Sequence, residues 1–152
     1  MDTNVFLHAD NQQEQRQADA QKLIGDLQHC HTHLCIDEGF SLNEAENRSQ
    51  IGGEYLKHLK PGMLGFALVA FLAQSARVKL VPRSVPQNVS KVIRNRVHDR
   101  ADHVFVRVAY NSIERTLASH DFANLPTDIR ALLQNEIEVR VVSALECSGC
   151  LA

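Results

Sequence analysis

The sequence has no apolar run that is long enough to cross a bilayer as a helix. Its most apolar stretch, MLGFALVAFLA from Met63 to Ala73, has eleven residues, whereas a transmembrane helix needs about 20. The amino-terminal MDTNVFLHADNQQEQ also has no basic region followed by an apolar run, which a secretory signal would require. We therefore predict a cytoplasmic protein without membrane contact, in which Met63–Ala73 is a buried helix.

Internal repeats, low-complexity segments and long linkers are missing as well. A chain of 152 residues with 44% hydrophobic and 22% charged residues is typical of one soluble globular domain. We predict a single domain over 1–152, with a flexible tail or a short strand at 1–10 and a mobile tail at 147–152. Four cysteines without a secretory signal favour free thiols or metal ligands over a disulfide framework.

Helical periodicity dominates the first half of the chain. Apolar residues recur at steps of three and four from Asn11 to about Cys35, which predicts a long first helix. The tetrapeptide SLNE at Ser41–Glu44 fits a capping box and predicts that a second helix starts at Leu42. The third predicted helix is the apolar one, which ends near Arg77.

The second half carries strand signals. VKLVP at 78–82 is short, branched and ends in proline, and HVFVRVAY at 103–110 alternates valines, so we predict strands at both places. Between them, QNVSKVIRNRVHDR at 87–100 places its valines and isoleucine on one helical face. PTDIRALLQNE at 126–136 predicts another helix, and for 137–145 the periodicity leaves helix and strand open.

These signals predict an α+β fold. A helical amino-terminal half with three helices would precede a small mixed region with two or three short strands. The alternative is an all-α bundle. The stretch YLKHLKPGMLGFALVAFLAQSAR, from Tyr55 to Arg77, is similar to the middle helices of small helical subunits of RNA-guided interference complexes, and this similarity favours the all-α alternative.

Acidic residues are scarce in the middle of the chain, where residues 61–107 hold two of them against eight basic residues. The flanking blocks 1–60 and 108–152 hold ten acidic against five basic residues and six against three. The net charges of −5, +6 and −3 sum to the chain's −2, so a near-neutral protein contains a basic centre. The basic centre consists of Arg77, Lys79, Arg83, Lys91, Arg94, Arg96, Arg100 and Arg107.

Clustered cations of this kind are typical of a surface that binds phosphates. On a helix that starts near Asn88, Lys91 and Arg94 would lie opposite the valine stripe and could follow a nucleic-acid backbone. No helix-turn-helix, RNP or KH motif accompanies them, so the sequence does not choose between DNA and RNA. The alternatives are that the charges solvate a surface helix or contact an acidic protein partner.

Histidine and cysteine are concentrated in HCHTHLC, from His29 to Cys35. If the first helix continues through this string, His29 and His33 project from one face, four residues apart. In the terminal CSGC, Cys147 and Cys150 have the spacing at which two thiolates hold one tetrahedral zinc ion. These four residues are the candidate ligands of a structural zinc site, which requires the carboxyl terminus to return to the end of the first helix.

The same residues have three other interpretations. The HxH within HCHTHLC resembles the metal-binding histidine pair on the first strand of amidohydrolase-type enzymes, although those enzymes need a larger barrel. The terminal CSGC could act as a mobile dithiol that exchanges disulfides with a partner. In the third interpretation Cys30 is a small core residue, the histidines line the helix end and the terminal cysteines have no role.

The sequence thus favours a non-enzymatic nucleic-acid-binding or regulatory protein that uses the basic centre. The alternative is a protein-interaction adaptor or an oligomeric structural subunit, with or without a structural zinc. An enzyme ranks third, because no group of residues combines a nucleophile, a base and an orienting residue.

Overall fold

The computed structural model describes residues 1–151, and these residues form an α+β fold, as the sequence predicts. The helices are α1 Thr3–Ala9, α2 Gln17–His29, α3 Gln50–His58, α4 Leu64–Gln74, α5 Gln87–Arg96, α6 His103–Asn111, α7 Thr127–Ile137 and α8 Ala144–Ser148. The strands are β1 Leu34–Asp37, β2 Val78–Val81, β3 Thr116–Ala118 and β4 Arg140–Val142. A 3₁₀ turn, Arg100–Asp102, leads directly into α6.

The strands form two sheets of two parallel strands each. In the first sheet β1 pairs with β2, with Leu34 opposite Val78. In the second sheet β3 pairs with β4, with Thr116 opposite Arg140. Parallel neighbours need a crossover connection, which α3 and α4 supply in the first sheet and α7 supplies in the second.

Helix α6 joins the two sheets, because it packs against both β1 and β3. Its Phe105 is part of an aromatic row in which the Tyr55 ring lies 6.5 Å from Phe105 and 5.2 Å from Phe6. Phe6 also touches α4, where a Cβ at Gly65 would lie 2.6 Å from the Cβ of Phe6. Only glycine permits this close approach of α1 and α4.

The carboxylate of Asp37, the last residue of β1, is fully buried and holds the start of α3. It accepts hydrogen bonds from the Ser49 hydroxyl at 2.5 Å and from the backbone N–H groups of Gln50 at 2.7 Å and Ile51 at 2.9 Å. The Nε of Arg83, just after β2, lies 3.5 Å away. The carboxylate thus accepts from amides that a helix start leaves without partners. One side chain therefore connects a strand, a helix and the loop after the second strand.

The first predicted helix is wrong at its carboxyl end. Helix α2 ends at His29, and Cys30 is extended with φ −92° and ψ 176°. The Arg77 guanidinium donates to the backbone carbonyls of Leu27, Gln28 and Thr32 and so satisfies the end of the helix. The following LCID then pairs with β2 instead of continuing the helical stripe.

The second predicted helix start is also wrong. Residues 41–47 form a loop, and α3 begins at Gln50 with Ser49 as its N-cap, whose hydroxyl accepts from the N–H of Gly52 at 2.8 Å. The Asp37 carboxylate explains this choice, because it binds the amides of Gln50 and Ile51 next to Ser49. The amides of Ser41 and Asn43 instead donate to the Asn47 side chain and to the Ser41 hydroxyl within the loop.

The predicted strand at 103–110 is wrong as well, because HVFVRVAY forms α6. This helix is buried on more than one side, since the successive residues Val104, Phe105 and Val106 are all buried. The predicted strand at VKLVP and the predicted helices in 87–100 and 126–136 are confirmed as β2, α5 and α7.

Both chain ends differ from the expected tails. The 1–10 segment forms α1, in which Val5, Phe6 and Ala9 are fully buried. The segment left open at 137–145 contains β4 and the start of α8, and α8 includes Cys147. The last residue of the predicted 147–152 tail, Ala152, lies outside the described residues. None of the helices in residues 1–151 combines the length and the hydrophobicity that crossing a bilayer requires.

Replacing Asp37 with alanine should lower the free energy of unfolding by about 3 kcal/mol or more, because buried donors at the start of α3 lose their acceptor. Denaturant unfolding followed by circular dichroism measures this change. Asp128 is an exposed carboxylate in the first turn of α7, and Asp128→Ala should cost less than about 1 kcal/mol. Equal losses in the two variants would contradict the role assigned to Asp37.

Candidate functional site

Some side chains of the basic centre are bonded to other parts of the protein, and the others are exposed. Arg77 caps α2, Arg83 lies beside Asp37, Arg96 donates to Glu136 at 2.6 Å and Arg107 donates to the Ser90 hydroxyl at 3.2 Å. The remaining members are exposed, and these are Lys79, Lys91, Arg94 and Arg100. A phosphate-binding role for the basic centre therefore depends mainly on these four residues.

Helix α5 presents its cations as the periodicity predicts. Val89 and Ile93 are buried against the core, whereas Lys91 and Arg94 are exposed. Neither cation forms an ion pair within residues 1–151. The face is available to an anionic ligand.

The four candidate zinc ligands are not assembled. His29 ends α2 and His33 lies in the extended segment before β1, so the two no longer share a helical turn. Cys147 lies in α8 and Cys150 follows it. Across residues 1–151 no three His, Cys, Asp or Glu side chains are arranged to hold a metal ion. The zinc site therefore stays a prediction that this geometry does not support.

The cysteines are free thiols. Burial raises the pKa of the Cys147 thiol and of the Cys35 thiol. Because the thiolate is the form that attacks disulfides, burial of Cys147 disfavours the dithiol interpretation at neutral pH.

Carboxylates gather at a different place, which sequence reasoning missed. Burial is the main cause that raises the pKa of the Asp102 carboxyl to about 7, and nearby negative charges are the second cause. Those charges belong to Asp2, Asp121, Asp99 and Glu54. Burial also raises the pKa of Asp2, with a contribution from Asp121. We call Asp2, Glu54, Asp102 and Asp121 the carboxylate cluster.

Each member of the carboxylate cluster comes from a different part of the fold. Asp2 precedes α1 and accepts from the Ser119 hydroxyl at 2.6 Å, just after β3. Asp121 accepts from the N–H of Asn124 at 2.8 Å, within the loop that leads to α7. Glu54 lies in α3, and Asp102 closes the 3₁₀ turn before α6.

Asp102 is the unusual member, because only 8% of its surface is exposed and its Oδ2 has no hydrogen-bond partner within residues 1–151. Thr3 Oγ1, in the first turn of α1, is buried and without a partner as well. A buried carboxylate without a partner and among like charges is costly. A cation would relieve this cost, and carboxylate oxygens are the ligands that Mg²⁺ prefers.

The carboxylate cluster lies where parallel α/β folds bind ligands. Asp37 ends β1, and Ser119 and Asp121 follow β3, so the carboxyl ends of both sheets point to this region. The chain leaves β1 toward β2 and leaves β3 toward β4. Ligands of open parallel sheets bind at such a point, where the order of the strands changes direction.

Positive charge flanks the carboxylate cluster. The Arg130 guanidinium donates to the backbone carbonyl of Ser119 at 3.2 Å and lies 4.0 Å from the centre of the Phe122 ring. Arg16 lies 4.5 Å from the same ring, and Arg100 is exposed in the 3₁₀ turn that ends at Asp102. These guanidiniums are placed to attract an anionic ligand without neutralising Asp102.

A histidine pair closes the side next to α8. The Nδ1 atoms of His8 and His120 lie 3.0 Å apart, and His120 Nε2 accepts from the N–H of Ala144 at 3.1 Å. Burial, and then the charge of His8, lowers the pKa of His120 to about 4. His120 is therefore neutral near pH 7, with its proton on Nδ1, and serves as a structural link.

Comparisons with protein-family models, curated proteins and solved structures found no significant match to the chain.

The metal-free protein should become more stable when Asp102 is replaced with asparagine. In the wild type the pKa is about 7 in the folded chain and about 3.9 in the unfolded chain, so stability falls as the pH rises between these values. At pH 8 in EDTA, Asp102→Asn should raise the free energy of unfolding by up to about 4 kcal/mol, and near pH 4 it should change little. Denaturant unfolding across pH 4–8 tests this, with Asp128→Asn as the control. A pH-independent difference would contradict it.

Proposed function

We propose that this protein is a divalent-cation-dependent phosphodiesterase that acts on nucleic acid. The observation that carries the proposal is the carboxylate cluster, with its buried and unpartnered Asp102 oxygen. A cluster that is unstable without a cation and lies at the carboxyl ends of the strands is suited to binding one. The fold keeps these carboxylates near one another for a cation to bind, although their mutual repulsion lowers the stability of the metal-free protein.

The carboxylates are not in ligating positions as they stand. Like charges keep such side chains apart, and a divalent cation removes that repulsion and draws oxygens toward itself. It also lowers the pKa of a neighbouring carboxyl, so Asp102 would be ionised when the cation is bound. Asp2, Glu54, Asp102 and Asp121 are the residues that would hold the cation.

A bound Mg²⁺ or Mn²⁺ would supply an activated water and would stabilise negative charge on a phosphate. The chain supplies the remaining requirements. Ser119 fixes the orientation of Asp2 through its hydroxyl, and the backbone N–H of Asn124 does the same for Asp121. Arg16, Arg100 and Arg130 surround the cluster with positive charge, which would offset the repulsion between the carboxylates and a phosphodiester.

Nucleic acid is the proposed substrate class because the protein also exposes cations that are not part of the carboxylate cluster's surroundings. Lys91 and Arg94 on α5 are exposed and free of ion pairs within the described part of the chain. Phosphate contacts of this kind position a nucleic-acid backbone without reading its sequence. A single small phosphate ester bound at the carboxylate cluster would not need cations on α5.

A second candidate is nucleic-acid binding or regulation without catalysis, which the exposed α5 face favours by itself. A protein adaptor with an acidic partner, or a homo-oligomer, would use the same face. For each of these we propose a cytoplasmic protein with reduced cysteines, in which all four thiols are free.

Cleavage of a fluorescent single-stranded RNA or DNA should depend on added Mg²⁺ or Mn²⁺ and should cease in EDTA. Asp102→Asn and Asp2→Asn should each reduce the rate at least about 100-fold, since each removes a charge that acts on the cation and the transition state. The matched control is Glu44→Gln, which removes an equal charge from an exposed loop residue and should retain the wild-type rate.

Thermal denaturation in Mn²⁺ checks cation binding separately from catalysis. The midpoint of the wild type should rise with Mn²⁺ concentration, and that of Asp102→Asn should not. Cleavage that is equal in wild type and both cluster variants would identify a contaminating nuclease and reject the proposal.

Binding of nucleic acid should fall steeply with salt, with a log-log slope of about −0.9 per contacted phosphate for duplex DNA. Replacing Lys91 and Arg94 with alanine should reduce that slope by about two and weaken binding similarly across sequences. Fluorescence anisotropy at several salt concentrations measures both effects. Arg48→Ala with Lys60→Ala removes two exposed cations elsewhere and should leave the slope unchanged. An unchanged slope for the α5 variant would exclude this face.

A further inference from the structure

The two sheets leave a slot between them. A cavity of about 640 Å³ is lined by residues of all four strands, including Cys35 of β1 and Leu117 of β3. A cavity of about 150 Å³ already accommodates benzene, so this one has room for several residues. Helix α6 packs against both β1 and β3. The two sheets are therefore neighbours, but no strand of one is hydrogen-bonded to a strand of the other.

The β1 edge of the slot carries free backbone groups. Leu34 donates its N–H to the Arg77 carbonyl at 2.9 Å, so the backbone groups of Leu34 face β2. Successive residues of a strand direct their N–H and C=O groups to opposite sides. Those of Cys35 therefore face away from β2, into the slot, and within residues 1–151 β1 pairs with no strand other than β2.

The β3 edge has the same character. Arg140 donates to the Arg115 carbonyl at 2.8 Å and Ser119 donates to the Val142 carbonyl at 2.9 Å, which fixes the β4-facing side of β3. By alternation, Thr116 and Ala118 direct their backbone groups into the slot. The Ala118 carbonyl accepts from the N–H of Asp2 at 2.9 Å.

The hydrogen bond from Asp2 to the Ala118 carbonyl is of the kind that joins two paired parallel strands. Asp2 is extended, with φ −73° and ψ 148°, and Met1 lines the slot. A strand that continued this pairing on the amino side of Met1 would form hydrogen bonds with the backbone of Ala118 and then of Thr116 along the β3 edge. Its alternate residues would meet the backbone groups of Cys35 on the other edge.

We propose that the slot accepts a fifth strand, which runs parallel to β1 and β3 and whose carboxyl end lies at Met1. The strand order would then be β2, β1, the fifth strand, β3 and β4, in a single parallel sheet. Such a central strand is buried on both faces and is built from valine, isoleucine and leucine. The occupant is thus an extended apolar peptide segment, about five residues long.

The test adds residues directly before Met1. One form carries Lys-Val-Val-Val-Ile, a second carries Gly-Ser-Gly-Ser-Gly, and a third carries Lys-Val-Val-Val-Pro, in which proline removes the N–H that would donate to the Thr116 carbonyl. Hydrogen exchange followed by NMR reports the amides of Cys35, Thr116 and Ala118, and calorimetry reports the midpoint of thermal unfolding.

The apolar extension should slow exchange at these amides at least about tenfold and raise the midpoint by about 5 °C or more. The glycine-serine extension should do neither, and the proline form should give an intermediate result. Identical behaviour of the apolar and glycine-serine forms would overturn the proposal.

Two further measurements cover the other occupants. If the apolar form does not fold, free Lys-Val-Val-Val-Ile amide is titrated into the original chain. Amide shifts confined to β1 and β3 support the proposal, and shifts elsewhere or none reject it. If light scattering finds a dimer of the original chain in which the same amides are already protected, the slot belongs to a second copy and the proposal fails.

Discussion

The buried carboxylate of Asp37 is the interaction on which the rest of the architecture depends. It fixes where β1 stops and where α3 starts, because it binds the amides of Gln50 and Ile51 directly. The direction of α3 then places Glu54 toward Asp102 and Tyr55 in the aromatic row. Moving this one anchor would displace both a member of the carboxylate cluster and part of the core.

The fold gives up stability at one place to concentrate negative charge there. Asp102 has no internal partner for Oδ2, although the chain provides hydroxyls and amides that satisfy Asp2 and Asp37 close by. A site shaped only by stability would have paired or neutralised this oxygen. The exception is expected where a ligand completes the environment, since functional sites are the usual exceptions to local consistency.

The sequence predicted the helices and strands that local patterns determine. Its predictions were wrong where tertiary contacts determine the type or the ends of an element. The α5 face follows from its valine spacing alone. In contrast, α2 ends where a guanidinium from residue 77 reaches its carbonyls, and no pattern near residue 30 announces this. The valines of 103–110 fit both the helical and the strand periodicity, because α6 is buried on several sides. The carboxylate cluster was missed for the same reason, since its members are far apart in sequence and each lies among ordinary residues.

Arg77 makes two structural events inseparable. Its side chain closes the carboxyl end of α2, while its backbone carbonyl accepts the hydrogen bond from Leu34 that opens the pairing of β1 with β2. Neither contact forms until the intervening chain, which includes α3 and α4, has closed a long loop. This corner should therefore assemble late in folding and open as one cooperative unit, so that helix fraying at His29 and separation of the first sheet occur together.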